Sequence, residues 1–206
     1  MVNDNSSSEI LAFWFADART DPARAAERMA FWFKSSSEDD AAITQRFAST
    51  LNEAADGSLA HWETDPHSAL ALVIALDQFP RNIHRGTPSA FDYDREALNV
   101  AKHGVAAGHL RALTTIEQAF FLMPYQHCEE RACQQEGVAH FERMAEEAPP
   151  EWRSVAEGML RYARMHRDII ERFGRFPHRN KILGRASTPD EQQYLASDHE
   201  SFGQSG

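Results

Sequence analysis

Apolar residues recur at helical spacing along most of the chain, and the alternation typical of a half-buried strand is sustained nowhere. The pattern therefore predicts helices and no convincing strand. The most apolar stretch, from Ala69 to Leu76, is hydrophobic on nearly all sides, which predicts the central buried helix of the fold. The tetrapeptide Ala-Phe-Trp-Phe occurs at 12–15 and again at 30–33. Because aromatic side chains bury large areas, we expect both copies to anchor one core.

Capping signals mark where several of these helices begin. Asp21 and Asp65 each precede a proline. The aspartate side chain can accept a hydrogen bond from the N–H groups of the first turn, and a proline at the first helical position has no N–H that would need a partner. Thr114 and Thr188 each precede a glutamate by three positions, as in a capping box, and Ser6 opens the same pattern.

Proline and glycine predict where helices end. The central helix is expected to stop at Pro80, because the residue before a proline disfavours helix. Pro124 is expected to kink or divide a later helix, with a further helix running from there to about Glu147. Ser37 is predicted to cap a helix with three acidic residues in its first turn. Gly174 is predicted to end the long helix that begins after Pro150.

Together these signals predict an all-α fold, an array of about eight to ten helices joined by short loops in one domain spanning 1–206. Residues 1–7 and 199–206 are polar, and we expect them to be frayed ends. No repeat of about 34 residues is legible, although stacked helix pairs of the solenoid kind are compatible with the pattern.

The composition of the chain argues against several classes of function. Acidic residues outnumber lysine plus arginine by 31 to 21, which argues against nucleic-acid binding because that needs a basic face. The longest apolar run has eight residues, too short to cross a membrane. The N-terminus lacks the basic and apolar regions of a signal peptide, and Cys128 and Cys133 match no metal or redox motif. We therefore expect a cytoplasmic protein with no nucleic-acid or membrane partner.

One basic segment contrasts with this acidic background. Residues 166–185 contain six lysines or arginines and two histidines. Within them, 176–180 reads Phe-Pro-His-Arg-Asn, and an earlier echo at 79–82 reads Phe-Pro-Arg-Asn. In both, a proline restricts the backbone before an Arg-Asn pair. Arginine presents five donors in a rigid fork that suits carboxylate or phosphate. If the two segments meet, we expect them to form one site for a small anion.

Two interpretations of this basic site stay open. In the first, the arginines and asparagines line a pocket that binds a small anionic molecule. In the second, the acids Asp77, Glu129 and Glu171 neutralise the arginines in a purely structural network, and arginines after a helix end bind its free carbonyl groups. The candidate ligand-binding residues are Arg81, Asn82, Arg85, Arg175, Arg179, Asn180 and Arg185.

His127 and Glu130 form a second candidate constellation, because three residues apart they are predicted to share a helix face. A histidine beside a carboxylate can transfer protons, or supply two metal ligands with His166 as a third. No H-E-x-x-H or C-x-x-C spacing is present, so we predict no metal and no cofactor. Cys128 is not a nucleophile paired with His127, because adjacent helical residues point apart. A structural histidine bonded to an acid is the alternative.

These motifs also resemble a known bacterial family. They are Leu-Asp-Gln-Phe-Pro-Arg-Asn at 76–82, Pro-Tyr-Gln-His-Cys-Glu at 124–129 and Arg-Phe-Gly-Arg-Phe-Pro-His-Arg-Asn at 172–180. They resemble the bacterial domain-of-unknown-function family 924, over roughly residues 8–202. The resemblance implies an all-helical fold similar to tetratricopeptide-repeat superhelices, and it implies no activity.

Two positions depart from the pattern of that family, which usually has Phe and Ser where this chain has Tyr125 and Cys128. The second departure counts against an essential serine nucleophile at that position. The family pattern keeps the histidine and the first glutamate, so Glu129 becomes a better site candidate than Glu130.

Two functional hypotheses follow. In the first, a small carboxylate or phosphate ester is clamped by Arg81, Arg175 and Arg179 and oriented by Asn82 and Asn180, and the protein is either an enzyme or a binding protein. In the second, the helical array is an interaction module with a groove for a peptide or protein, and the arginine segments are purely structural. Neither hypothesis specifies an oligomeric state. The candidate catalytic residues are His127, Glu129 and His178.

Overall fold

The structure, a computed structural model, describes residues 5–34 and 36–197. In that part of the chain it is helical throughout and contains no strand, as the sequence predicts. The helices are α1 Asn5–Phe15, α2 Pro22–Phe33, α3 Ser37–Ala55, α4 Pro66–Val73, α5 Phe79–Ile83, α6 Asp94–Ala107, α7 Thr115–His127, α8 Arg131–Glu147, α9 Arg153–Phe173 and α10 Pro189–Leu195.

The apolar stretch that was predicted to form the central helix does lie at the centre of the fold. All eight residues from Ala69 to Leu76 are buried. Helix α4 packs against α1, α6 and α7, and α7 in turn packs against α8 and α9. A helix surrounded by neighbours in this way needs an apolar surface all round, which is what this part of the sequence supplies. The predicted all-α array is therefore confirmed, while its relation to tetratricopeptide repeats stays a prediction.

The repeated aromatic tetrapeptides meet in one core, as predicted. Phe15 and Trp32 lie with ring centroids 6.0 Å apart, and Phe120 of α7 lies 5.3 Å from Phe15 and 4.9 Å from Trp32. All these pairs are edge-to-face, the arrangement favoured by the ring quadrupoles. Phe33 differs, since it stays 42 % exposed at the end of α2.

The capping predictions are confirmed at several helix starts. Asp21 accepts from Ala23 N at 2.8 Å, and Asp65 accepts from His67 N at 3.1 Å. Both Thr114 and Thr188 form capping boxes. The cap of α3 is Ser36 rather than the predicted Ser37, because Ser36 forms the capping box with Asp39. The side chain of Ser6 lies outside the described part.

The predicted helix end at Pro80 is wrong, and so is a division of the later helix at Pro124. The helix containing Ala69 to Leu76 does not stop at Pro80, because a π-helical turn, Ile74–Gln78, joins α4 to α5 and the chain stays helical to Ile83. Helix α7 likewise runs through Pro124 to His127. The break falls after His127, so Glu130 precedes α8 and does not share a helix face with His127. Packing on buried neighbours outweighs the one hydrogen bond that each proline removes.

The predicted frayed ends fall mainly outside the described residues. Residues 198–206 and 1–4 are not described, and residues 5–7 form the first turn of α1.

A close approach between α7 and α8 gives a stability prediction. A β-carbon at Gly137 would lie 2.6 Å from the β-carbon of Tyr125, whereas one at Gly158 of α9 would meet only the end of Arg161, at 3.7 Å. We expect Gly137→Ala to destabilise the protein by about 1–3 kcal/mol through overpacking. Gly158→Ala, the matched control, should stabilise it by about 0.5–1 kcal/mol. Urea unfolding of both variants measures the difference, and equal effects would contradict the packing argument.

Candidate functional site

The π-helical turn positions the first half of the candidate site. At its end, Phe79 N–H donates to Ile74 O, five residues back. The wider turn lets the chain pass Pro80 while four polar residues stay buried on the inward side. Single π-turns inside α-helices occur frequently at functional sites. The buried polar residues are Asp77, Gln78, Arg81 and Asn82.

Asp77 is the most deeply buried of these groups, with no exposed surface. Its carboxylate lies 2.7 Å from His127 Nδ1 and 3.3 Å from Arg81 Nη1, and it accepts from Gln78 Nε2 at 2.6 Å. Burial alone would raise the pKa of Asp77. The charge of Arg81, followed by His127, outweighs burial and holds that pKa well below its ordinary value. Asp77 is therefore a permanent negative charge inside the protein.

The ionised state of Asp77 fixes the tautomer of His127. A carboxylate can only accept, so the proton of the neutral imidazole must sit on Nδ1 and Nε2 must carry the lone pair. Burial and the charge of Arg81 lower the pKa of His127, against the opposing effect of Asp77. At neutral pH this ring is uncharged and can accept a proton at Nε2.

Two buried arginines meet at one carboxylate. Arg81 Nη1 lies 2.8 Å from Asp94 Oδ1, and Arg179 Nη1 donates to Asp94 Oδ2 at 3.3 Å. Arg179 Nη1 also donates to the carbonyl oxygen of His127 at 3.2 Å. Burial lowers the pKa of Arg179, whereas the carboxylates beside Arg81 outweigh burial there and raise its pKa. The two basic segments identified in the sequence therefore meet, through Arg81 and Arg179.

These two guanidinium groups are not fully satisfied. Arg81 is 8 % exposed and Arg179 is 6 % exposed. Within residues 5–34 and 36–197, Arg81 Nη2 and Arg179 Nε have no hydrogen-bond partner. Buried donors almost always find partners, so each such group requires an explanation. We call Arg81, Arg179, Asp77, Asp94 and His127 the paired-arginine site.

Aromatic rings enclose the paired-arginine site. Phe91, at the end of the 3-10 turn Pro88–Phe91, lies 5.7 Å from the guanidinium of Arg81 and 4.6 Å from that of Arg179. The ring centroid of Phe176 also lies 4.6 Å from the guanidinium carbon of Arg179. Arginine stacks well on aromatic faces, because its delocalised charge is weakly hydrated. The rings hold Arg179 in place without using its remaining donors.

A second buried histidine faces the first. The ring of His166 lies 6.1 Å from that of His127 and 5.6 Å from Phe176. His166 Nδ1 lies 2.8 Å from the carbonyl oxygen of Tyr162, so this nitrogen is the donor. Burial, together with His127, lowers the pKa of His166 well below its ordinary value.

Four other predicted residues, Glu129, Arg175, Asn180 and Arg185, form a separate network together with Glu191, and we call this network the C-terminal clasp. Arg185 donates to Glu129 through Nη1 at 2.6 Å and Nη2 at 3.0 Å. Arg175 makes a similar pair with Glu191, at 2.6 and 2.8 Å. Asn180 accepts from Arg185 Nε at 2.9 Å. These bidentate pairs fasten the segment after α9 to the end of α7 and to α10.

The sequence-predicted site is therefore divided. Arg81, Arg179 and His127 come together, whereas Arg175, Asn180, Arg185 and Glu129 belong to the clasp. Two other arginine-segment residues have different partners: Asn82 donates to Gln78 O at 2.9 Å, and Arg85 pairs with Asp40 of α3 at 2.7 Å. His178 is buried, with its ring 5.4 Å from that of Phe176.

Sequence reasoning missed part of the paired-arginine site. Asp77 was expected only to neutralise an arginine, and its contact with His127 spans fifty residues of chain. Asp94 and Phe91 carry no local signal, because each is an ordinary residue near the start of a helix. His166 was considered only as a metal ligand. In the described part, no three His, Cys, Asp or Glu side chains are grouped to hold a metal ion.

Two surface cavities lie away from the paired-arginine site. One, of about 310 Å³, is between the starts of α1 and α4, and the other, of about 410 Å³, is between α7 and the end of α8. Neither is lined by Arg81 or Arg179. None of the described helices has the length and apolar character needed to cross a membrane.

The all-helical fold is also found in another protein of known structure. The structure is similar to that of the protein of unknown function ATU0120 from Agrobacterium tumefaciens, with a TM-score of 0.76 and 35 % sequence identity. The match covers 92 % of this chain and 96 % of that one. No curated protein matches the chain.

Residues 10–199 match the family of bacterial proteins of unknown function DUF924, and the chain belongs to this family. The resemblance drawn from the three sequence motifs is thereby confirmed.

The clasp gives a pH prediction. Hydrogen bonds from Arg175 lower the pKa of Glu191 from its ordinary 4.5 to about 2. Because the folded-state pKa is depressed, the stabilisation is complete above about pH 4.5 and is lost as the pH falls toward 2. We expect the amides of α10 to lose hydrogen-exchange protection in this range before those of α4.

Two variants check this assignment. Glu191→Gln should loosen α10 already at neutral pH and remove its acid dependence. Asp190→Asn, which alters an exposed neighbour in the same turn, should change neither the protection of α10 at neutral pH nor its loss in acid. Protection of α10 that persists in Glu191→Gln would contradict the role of this carboxylate.

Proposed function

We propose that this protein binds a small anionic molecule, a carboxylate or a phosphate ester, between Arg81 and Arg179. The ligand would take the donors that these side chains do not use within the protein. His127 would contact the same ligand through Nε2 and act as the proton carrier, which makes enzymatic proton transfer chemically available. A cytoplasmic location is part of this proposal, since it fits the two free thiols.

One observation supports this proposal above the others. Two arginines, each more than nine-tenths buried, share a single carboxylate, and each leaves one guanidinium nitrogen without a partner among the described residues. Leaving a charged donor unsatisfied in the interior is expensive. A purely structural network would pair these donors, as the C-terminal clasp does with its bidentate contacts. An oxyanion would offer an acceptor for a charge-assisted hydrogen bond to each of these donors.

Access limits the size of the ligand. Phe91 lies over both guanidinium groups and is only half-buried, so it separates the paired-arginine site from solvent. A ligand would enter by displacing this ring and the short 3-10 turn that carries it. Such a site suits a compact head group rather than a long polymer. The alternative, a groove for a peptide or protein partner, rests on no comparable feature and stays a prediction.

Anion binding to a pair of charged donors predicts a specific mutational effect. Inorganic phosphate and acetate, titrated separately by calorimetry, should bind the wild-type protein and raise its unfolding temperature. Arg179→Gln should weaken binding by about 10- to 100-fold, because hydrogen bonds to charged groups contribute about 1.5–3 kcal/mol each.

The control is Arg46→Gln. Arg46 also pairs with a carboxylate, Glu9, and lies over the rings of Phe13 and Phe47, but it is on the surface. The Arg46→Gln variant should bind phosphate and acetate as the wild type does. Equal binding by Arg179→Gln and wild type would place the anion elsewhere. Absence of binding to the wild type, with a loss of stability in Arg179→Gln, would favour the purely structural interpretation.

A further inference from the structure

The two cysteines of the chain meet where α7 ends and α8 begins. Both are free thiols, and the side chains of Cys128 and Cys133 are hydrogen-bonded to each other. Their spacing in the sequence does not predict this contact, because residues five apart on a continuous helix point in different directions. The helix breaks after His127, so Cys128 lies in extended backbone and Cys133 lies in the first turn of α8.

The side chain of Gln134 holds this connection in place. Its Nε2 donates to the carbonyl oxygens of Gln126 and Cys128, at 2.7 Å each. This buried side chain thereby fixes the backbone of Cys128 beside the turn that carries Cys133. Cys133 belongs to the hydrophobic core, and Cys128 packs against that core. The fold itself therefore keeps the two sulfur atoms together.

The two thiols differ in access and in acidity. Cys128 is partly exposed, whereas Cys133 is only 2 % exposed. The hydrogen bond from Cys133, the N–H of Glu130 and the charge of Lys102 lower the pKa of Cys128 and outweigh the effect of burial. The hydrogen bond to Cys128, together with burial, raises the pKa of Cys133. Because the thiolate is the nucleophile, Cys128 is the thiol expected to react first.

We propose that Cys128 and Cys133 form an oxidant-responsive dithiol, which a hydroperoxide converts to an intramolecular disulfide. In the first step, the thiolate of Cys128 attacks an oxygen of hydrogen peroxide. The O–O bond breaks, hydroxide leaves, and the sulfur is oxidised to a sulfenic acid. In the second step, the sulfur of Cys133 attacks the sulfenic sulfur, and its thiol proton leaves with the hydroxyl group as water. Two electrons thus pass from the pair of thiols to the peroxide, and one S–S bond forms.

The position of Cys133 determines the product of oxidation. A sulfenic acid beside a thiol condenses to a disulfide, whereas an isolated one is open to further oxidation to sulfinic acid, which thiols do not reduce. The S–S bond is about 2.05 Å long, so the two sulfur atoms, already in contact, must approach further by side-chain rotation. Reduction by an external dithiol reverses the reaction. This proposal does not depend on anion binding at the paired-arginine site.

Peroxide treatment of the full chain, followed by tryptic digestion without reduction, tests the proposal. Trypsin cleaves after Arg131, between the two cysteines, and gives the fragments 112–131 and 132–143. These fragments separate in the reduced protein, whereas the disulfide joins them. We expect peroxide to remove both free thiols and to give the joined fragments, from a protein that migrates as a single chain on a denaturing, non-reducing gel. Dithiothreitol should restore both thiols.

Two serine variants, each the control for the other, test the order of the two steps. In Cys128→Ser, the buried thiol of Cys133 should react with peroxide at least about tenfold more slowly than Cys128 does in the wild type. In Cys133→Ser, Cys128 should still be oxidised, and dimedone should trap it as a sulfenic acid. Equal peroxide reactivity of the remaining thiol in both variants would contradict the assignment of Cys128 as the attacking thiol.

The digest of the wild type needs no variant, so the proposal stays testable if either serine variant does not fold. Three results would each overturn it. They are two free thiols after peroxide treatment, sulfinic acid at Cys128 beside a free thiol at Cys133, and joined fragments that come only from a disulfide-linked dimer.

Discussion

The buried carboxylate of Asp77 is the group on which the rest of the candidate site depends. It has no access to solvent, so it must be compensated inside the protein. Arg81 compensates its charge from one helical turn away, and neutral His127, on a distant helix, donates a hydrogen bond to it. The aspartate thereby fixes the tautomer of the histidine and ties α7 to the central helix.

The π-turn is the local structure that places Asp77 and Arg81 in this arrangement. A regular α-helix across Pro80 would lose a hydrogen bond and meet the proline ring. The wider turn accommodates the proline and keeps both Asp77 and Arg81 on the buried side. The energetic cost of an irregular turn is offset by apolar neighbours on every side. The clasp then brings Arg179 to the same place by holding the segment after α9 against α7.

The structure separates two roles that arginine plays in this chain. Arg175 and Arg185 are used in bidentate pairs whose donors are occupied by Glu191 and Glu129, as expected for a fastening. Arg81 and Arg179 share Asp94, and in the part of the chain that the structure describes each keeps one nitrogen without a hydrogen-bond partner. The difference lies in how many acceptors each guanidinium finds, and it is what distinguishes a candidate binding site from a structural network in this protein.

The sequence alone determined the all-helical class, the buried central helix and the caps at Asp21, Asp65, Thr114 and Thr188, because these depend on periodicity and on local hydrogen bonds. It also located the two basic segments. It could not determine which arginines meet, since that depends on contacts between residues far apart in the chain. The partnership of Asp77 with His127 and the sharing of Asp94 were decided only by the tertiary structure. The helix ends predicted at Pro80 and Pro124 were wrong for the same reason, because packing against neighbouring helices, and not local propensity, decides whether the helix continues past a proline.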